Sequence, residues 1–292
     1  MLTLFDILHE SEEHLVNGDA YFGHGTNNAW DEAVQAASFI LGLPADVEAD
    51  VGHRTLTPEE VKAIRALIQQ RIKTKKPLPY LTHEAWFAGL SFYVDERVII
   101  PRSPFGELIQ KQGRPWTRGK KIERILDLCT GSGCIAIACA KHFPGAIVDA
   151  VDLSTDALAV AQENVKRHGC EDAVHLYESD LFSAVRDQQY DLIISNPPYV
   201  DQRDMDDLPK EFRWEPELAL AAGKDGLTLV HRILKEAPAQ LKPNGLLFVE
   251  VGNSEPALIR AYPALPFTWI SFDHGGQGVF LLKKGEQNLW KP

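Results

Sequence analysis

Asn196-Pro197-Pro198-Tyr199 closes an apolar run, Tyr190 to Ser195, and sets two amide-type acceptors side by side on a stiffened turn. The Asn196 side-chain oxygen and the Pro197 carbonyl can each take one proton of an incoming NH2 group and aim its nitrogen at an electrophile. Neither proline donates; each fixes its own φ at about −65° and extends the residue before it. Tyr199 would supply a flat wall. The chemistry that suits such a clamp is alkylation of an amide, whose delocalised lone pair is a poor nucleophile until it is held against an activated electrophile. Alone, the tetrapeptide is also an ordinary strand-to-loop turn with a capping asparagine. The residues upstream decide between the two.

Ile122 to Leu128 is apolar apart from Arg124, Glu123 and Asp127 and leads into Cys129-Thr130-Gly131-Ser132-Gly133-Cys134, then the apolar stretch Ile135 to Ala140. This predicts strand, glycine turn and helix, with glycines that let a ligand approach the backbone where unpaired helical N–H groups begin. A dinucleotide fingerprint would need a third glycine at Ala136, and the turn holds no phosphate-binding lysine, so a pyrophosphate is disfavoured. A second predicted strand, Ala146 to Val151, ends at Asp152, twenty-one residues after Gly131, where an acid can accept both hydroxyls of an adenosine ribose. A third, Val174 to Tyr177, leads to Ser179-Asp180-Leu181-Phe182, with Asp180 where an adenine amino group could bind. Singly these are ordinary strand-end carboxylates. Together they mark the edge on which open α/β sheets bind ligands.

The elements that must position these residues follow from the pattern. Ser154 predicts an N-cap for a helix facing inward through Leu158, Ala161 and Val165. Leu227 to Leu241 predicts a helix, and Leu246 to Val251, Phe267 to Phe272 and Val279 to Leu282 complete a seven-stranded sheet, its last two strands an antiparallel hairpin around Gly275-Gly276. The fold class is therefore α/β, a Rossmann-like sheet behind a small helical domain. In that domain Thr57-Pro58-Glu59-Glu60 has capping-box form, Val61, Ile64, Leu67, Ile68 and Ile72 mark one face, and an earlier helix runs from Ala29 to Leu41 and stops at Gly42. The expected division is 1–90 helical, 91–110 hairpin or linker, with alternation over Phe92 to Ile100, and 111–292 the sheet domain. Asp201 to Gly226 is a long polar segment, expected to form a lid with Trp214 either touching substrate or packed beneath the loop.

With 292 residues and 45% apolar content, two cored domains are expected. No apolar run reaches the roughly eighteen residues of a membrane helix and no leader-like N-terminus is seen, which predicts a cytoplasmic protein. Cysteines at 129, 134, 139 and 170 form no Cys-x-x-Cys pair and no ligand cluster, so neither metal nor disulfide is expected. His24 and His53 stand alone, and Arg71, Lys73, Lys75 and Lys76 read as a solvated helix end. The formal net charge of −11, from 41 acids against 30 bases, argues against stable DNA binding and suits a basic protein partner, although solubility alone also accounts for it.

These motifs resemble the family of S-adenosylmethionine-dependent methyltransferases that alkylate glutamine side-chain amides in proteins of the translation apparatus. The likeness runs from Tyr21-Phe22-Gly23-His24-Gly25-Thr26 to Gly275-Gly276-Gln277-Gly278-Val279-Phe280. It implies a class I S-adenosyl-L-methionine fold, with Asp127, Cys129, Thr130, Gly131, Ser132, Gly133, Asp152, Asp180, Leu181 and Asn196 toward the cofactor and Asn196, Pro197, Pro198 and Tyr199 toward the reacting amide. Pro101-Arg102-Ser103-Pro104-Phe105-Gly106-Glu107 and Trp30-Asp31-Glu32-Ala33 are similar to the branch acting on the third large-subunit (50S) ribosomal protein, which implies that protein as partner, either free or during ribosome assembly. The release-factor branch instead carries Pro-Arg-Pro-Asp-Thr-Glu, with Gly at Cys129 and Trp at Leu181. Rival readings are release-factor glutamine methylation, an exocyclic-amine (adenine) nucleic-acid methyltransferase flipping its base into the same pocket, and a non-catalytic assembly factor.

Overall fold

Capping chemistry sets the helices of the N-terminal part. The computed structural model describes residues 2–44 and 49–285, and the chain separates into one unit of Met1–Ala85 with Pro209–Trp214 and another of Trp86–Leu208 with Glu215–Pro292. In the first, α1 (Leu4–Asn17) and α3 (Pro58–Thr74) open with capping boxes at Thr3/Asp6 and Thr57/Glu60. Between them α2 (Ala29–Leu41) is capped by Asn28 and closed by Gly42 at φ 62°; α4 (Leu78–Thr82) follows. Their apolar faces meet in one core that includes Ile7, Leu8, Ala33, Ala36, Ile64 and Ile68.

The α3 face differs from expectation at its end, where the buried fifth residue is Arg71 and Ile72 is only half-buried. Arg71 is no solvated helix end, because its guanidinium is satisfied inside: Nε reaches Glu32 Oε1 at 2.8 Å, Nη1 reaches Glu211 at 3.3 Å and Nη2 donates to the Tyr21 carbonyl at 2.8 Å. Burial pushes the Glu32 carboxyl above its ordinary value despite the arginine.

The second unit opens with a hairpin, β1 (Ala85–Phe87) and β2 (Leu90–Phe92), whose two turn residues, Ala88 and Gly89, both have positive φ as a tight hairpin requires. It lies just ahead of the 92–100 stretch, in which no strand follows Phe92. Next come α5 (Phe105–Gln110), β3 (Arg124–Leu128), α6 (Cys134–His142), β4 (Ile147–Asp152), α7 (Thr155–Arg167), β5 (Val174–Glu178) and β6 (Tyr190–Ser195). After these the chain forms α8 (Gln202–Asp207), α9 (Thr228–Gln240), β7 (Leu241–Glu250), α10 (Glu255–Ala261), β8 (Thr268–Trp269) and β9 (Val279–Lys283). The seven-stranded sheet has the order β5-β4-β3-β6-β7-β9-β8, with β9 antiparallel to both its neighbours.

Period-two alternation buries both faces. Ile125, Leu192 and Leu246 pack with α5, α6 and α7, while Leu126, Ile193 and Leu247 pack with α9 and α10. Strand order reverses direction between β3 and β6, which opens a crevice at their C-terminal ends. Ser154 caps α7 as expected, but the buried face is Ala157, Val160, Ala161, Asn164 and Val165, with Leu158 half-buried. The register turns because Asn164 is fully bonded: its Nδ2 donates to the Ser132 and Tyr93 carbonyls at 2.9 Å and its Oδ1 accepts from Tyr93 N–H at 2.8 Å. One side chain of α7 thus holds the glycine turn.

Candidate active site

The glycine turn is built around a buried carboxylate. Asp127 Oδ2 accepts from Thr130 Oγ1 at 2.6 Å and from Ala136 N–H at 3.1 Å, the third residue of α6. It therefore supplies the N-terminal cap that Gly133, having no side chain, cannot. Its Oδ1 is buried with no hydrogen-bond partner among the described residues, and burial, opposed by those two bonds, pushes its pKa up to about 7. Cys129, Gly131 and Gly133 take φ of 61°, 55° and 79°. A Cβ at Gly133 would lie 3.2 Å from the Ala161 Cβ, so a side chain there would push α7 back by a few tenths of an ångström while holding a positive φ. Asp152, at the end of β4, accepts from Gly131 N–H at 2.8 Å through one oxygen and from Ser154 N–H at 2.9 Å through the other. Each oxygen keeps a lone pair for a ligand hydroxyl, and burial raises its pKa.

These groups border a cavity of about 340 Å³ at the crevice. Of the residues singled out from sequence, Cys129, Gly131, Asp152, Asp180, Leu181, Asn196 and Pro198 line it. Asp127, Thr130, Ser132 and Gly133 form the frame behind the lining, and Pro197 and Tyr199 lie outside it. The Asn196 Oδ1 is buried without a hydrogen-bond partner among the described residues. That is an unspent acceptor in a cavity wall. Asp180 is ion-paired with Arg232 at 2.7 Å, so one oxygen is already engaged. Leu181 is buried at a positive φ of 51°, its carbonyl accepting from Ser179 Oγ at 2.7 Å. Burial, reinforced by the Asp152 carboxylate, holds the Cys129 thiol far above its ordinary value, which disfavours the thiolate.

Tyr199 is fixed at its far end, where its hydroxyl donates to Glu250 Oε1 at 2.9 Å and its carbonyl accepts from Ser254 Oγ at 2.9 Å. Two further segments line the cavity. Arg97, Val98 and Ile99 belong to the 92–100 stretch expected as hairpin or linker. Pro216, Leu218 and Ala219 come from the expected lid, which is a series of short helical turns rather than an open loop. Glu215, just before them, is buried, accepting from Ile100 N–H at 3.0 Å and paired through both oxygens with Arg102. Trp214 does not line this cavity; in the N-terminal unit its ring lies 5.2 Å from the Lys76 ammonium. No helix among the described residues is long and apolar enough to cross a membrane.

A family model described as "Methyltransferase small domain" matches residues 117–213. A ribosomal protein uL3 glutamine methyltransferase of Francisella tularensis is 49% identical over 99% of this chain and 92% of its own length. A second protein of that description, from Xanthomonas campestris pv. campestris, is 46% identical over 96% of this chain and 91% of its own. Among solved structures, the hMettl16 catalytic domain in complex with the MAT2A 3'UTR hairpin 6 superposes with a TM-score of 0.54 at 17% identity, covering 87% of this chain and 90% of that one. That likeness concerns the fold.

Proposed function

The chain belongs to the family of ribosomal protein uL3 glutamine methyltransferases, and from that premise we propose that it transfers methyl from S-adenosyl-L-methionine to a glutamine side-chain amide of uL3, in the cytoplasm. The observation that carries this reading is the buried, unpartnered Asn196 Oδ1 in the wall of a cavity framed by the glycine turn and Asp152. S-adenosylmethionine supplies, when bound, a methyl group activated by a positively charged sulfur.

The residues present fit that donor. Asp152 has an acceptor on each oxygen for the ribose hydroxyls, and the Gly131 turn admits a close backbone approach. Leu181 gives the base an aliphatic contact, and Asp180 retains one oxygen for its amino group. Asn196 Oδ1 and the Pro197 carbonyl take the two amide protons, which turns the nitrogen lone pair toward the methyl. No strong base is needed first: the amide becomes far more acidic as it is alkylated, and its surplus proton then leaves to water. The clamp's contribution is orientation and a fixed pair of acceptors in a site of low dielectric.

The test is transfer of labelled methyl to unmethylated uL3, with a release factor and duplex DNA as parallel substrates, followed by mass mapping. Label on one uL3 glutamine is expected, and Asn196→Ala should lower kcat about 100-fold with donor affinity nearly unchanged. Equal losses in both would refute the clamp. Label on the release factor alone, on DNA alone, or nowhere despite donor binding would replace uL3 methylation by the sibling activity, by base methylation or by an assembly role.

A further inference from the structure

Resting on that clamp reading, we infer that Glu250 is a positioning residue that sets the tyrosine end of Asn196-Pro197-Pro198-Tyr199, and that Ser103 holds Glu250 in place. Glu250 is the last residue of β7, only 5% exposed, and its two oxygens divide between two distant segments. Oε1 accepts from the Tyr199 hydroxyl at 2.9 Å and Oε2 accepts from the Ser103 hydroxyl at 2.5 Å. Ser103 Oγ also accepts from Phe105 N–H at 3.1 Å, which fixes the hydroxyl where its proton faces Glu250. A carboxylate is acceptor-only, so both hydroxyls are forced to point at it, and neither can turn away without leaving a buried group unsatisfied.

The rest of Tyr199 is held by independent means. A Cβ at Gly252 would fall 2.5 Å from the Tyr199 ring, and one at Gly226 would fall 2.4 Å from the Tyr199 carbonyl and 2.0 Å from Ser254 Oγ. Ring, carbonyl and hydroxyl therefore have three separate supports. Only one residue precedes the ring before Pro197, whose carbonyl is the second half of the clamp. A shift of the phenol is passed along a segment that its two prolines prevent from bending. The serine that reaches this network stands in Pro101-Arg102-Ser103-Pro104, so the motif set far upstream in sequence acts on the clamp through one carboxylate.

The experiment measures kcat, KM for uL3 and donor Kd for Glu250→Gln, Tyr199→Phe, their double variant and Ser103→Ala, with Asn196→Ala alongside. Glu250→Gln and Tyr199→Phe should each lower kcat about 10-fold, with donor Kd within about 3-fold of wild type, since misplacement by a fraction of an ångström acts on the reacting geometry. The double variant should be no worse than either single one, because both remove one interaction. Ser103→Ala should give a smaller loss of the same kind. Losses that multiply in the double variant, or a kcat unchanged in Tyr199→Phe, overturn the inference; Tyr199→Phe keeps the ring and so remains informative if Glu250→Gln folds poorly. Should Asn196→Ala keep full turnover, the clamp reading itself fails; should Asn196→Ala lose turnover while the Glu250 and Tyr199 variants keep it, only the positioning inference does.

Discussion

Asp127 shows how one side chain can serve the fold and prepare the site at a cost. Its carboxyl caps α6 through Ala136 and braces the turn through Thr130, yet it is fully buried beside no cation among the described residues, and its pKa stands at about 7 against an ordinary 3.8. The sign of the linkage follows: the folded state holds a proton that the unfolded state has released, so stability declines as pH rises from about 4 to about 7 and is level above that. The full penalty is about 4 kcal/mol. In the free protein, wild type should therefore lose more stability between pH 5 and pH 8 than Asp127→Asn does, as measured by urea midpoints across that range. Matching slopes would mean that Asp127 does not titrate there. Asp127 and Asp152 were legible in the sequence because each ends an apolar run at the edge where such sheets bind ligands. Glu250 and Arg71 were not, since their roles depend on partners that chain distance hides: Ser103 for the one and Glu211 for the other.

Elements were legible to the degree that their signals are local. Thr57 to Glu60 and Gly42 fix helix ends through groups within a turn of one another, and α2 runs from Ala29 to Leu41 as its breakers predict. The inward face of α7 was not, because Asn164 takes a core position by bonding Tyr93 and Ser132, partners no periodicity reveals. The segment after the clamp lies between these cases. Its length marked it as functional, whereas its return course depends on Glu215 being buried against Arg102 and Ile100 N–H. Arg102→Ala removes a cation that is paired through both oxygens with the buried Glu215, and breaking a buried pair typically costs about 3–5 kcal/mol. The same substitution should weaken donor binding, because Pro216, Leu218 and Ala219 follow directly and line the cavity. Adding Glu215→Gln, which removes that carboxylate's charge, should restore much of the lost melting temperature. Failure of the second substitution to restore any would show that the arginine stabilises through packing instead.

At the scale of the whole molecule the question is what the formal net charge of −11 is for. A single-sign excess of this size produces a field that speeds encounter with a partner of opposite sign, and that effect is lost as salt shortens the Debye length from about 10 Å at 0.1 M toward 3 Å at 1 M. Under the proposed clamp, in which Asn196 and Pro197 take the two protons of a neutral amide, methyl transfer itself carries no such dependence. The two contributions can therefore be separated by substrate size. With whole basic uL3, kcat/KM should fall about 10-fold between low and high salt, whereas a short neutral peptide carrying the same glutamine should give a nearly level profile. Turnover at saturation should be insensitive to salt for both, because steering acts on encounter and not on the reacting geometry. A level profile for the whole protein as well would leave the acidic surface with solubility as its role and would move substrate choice entirely to contacts made after encounter.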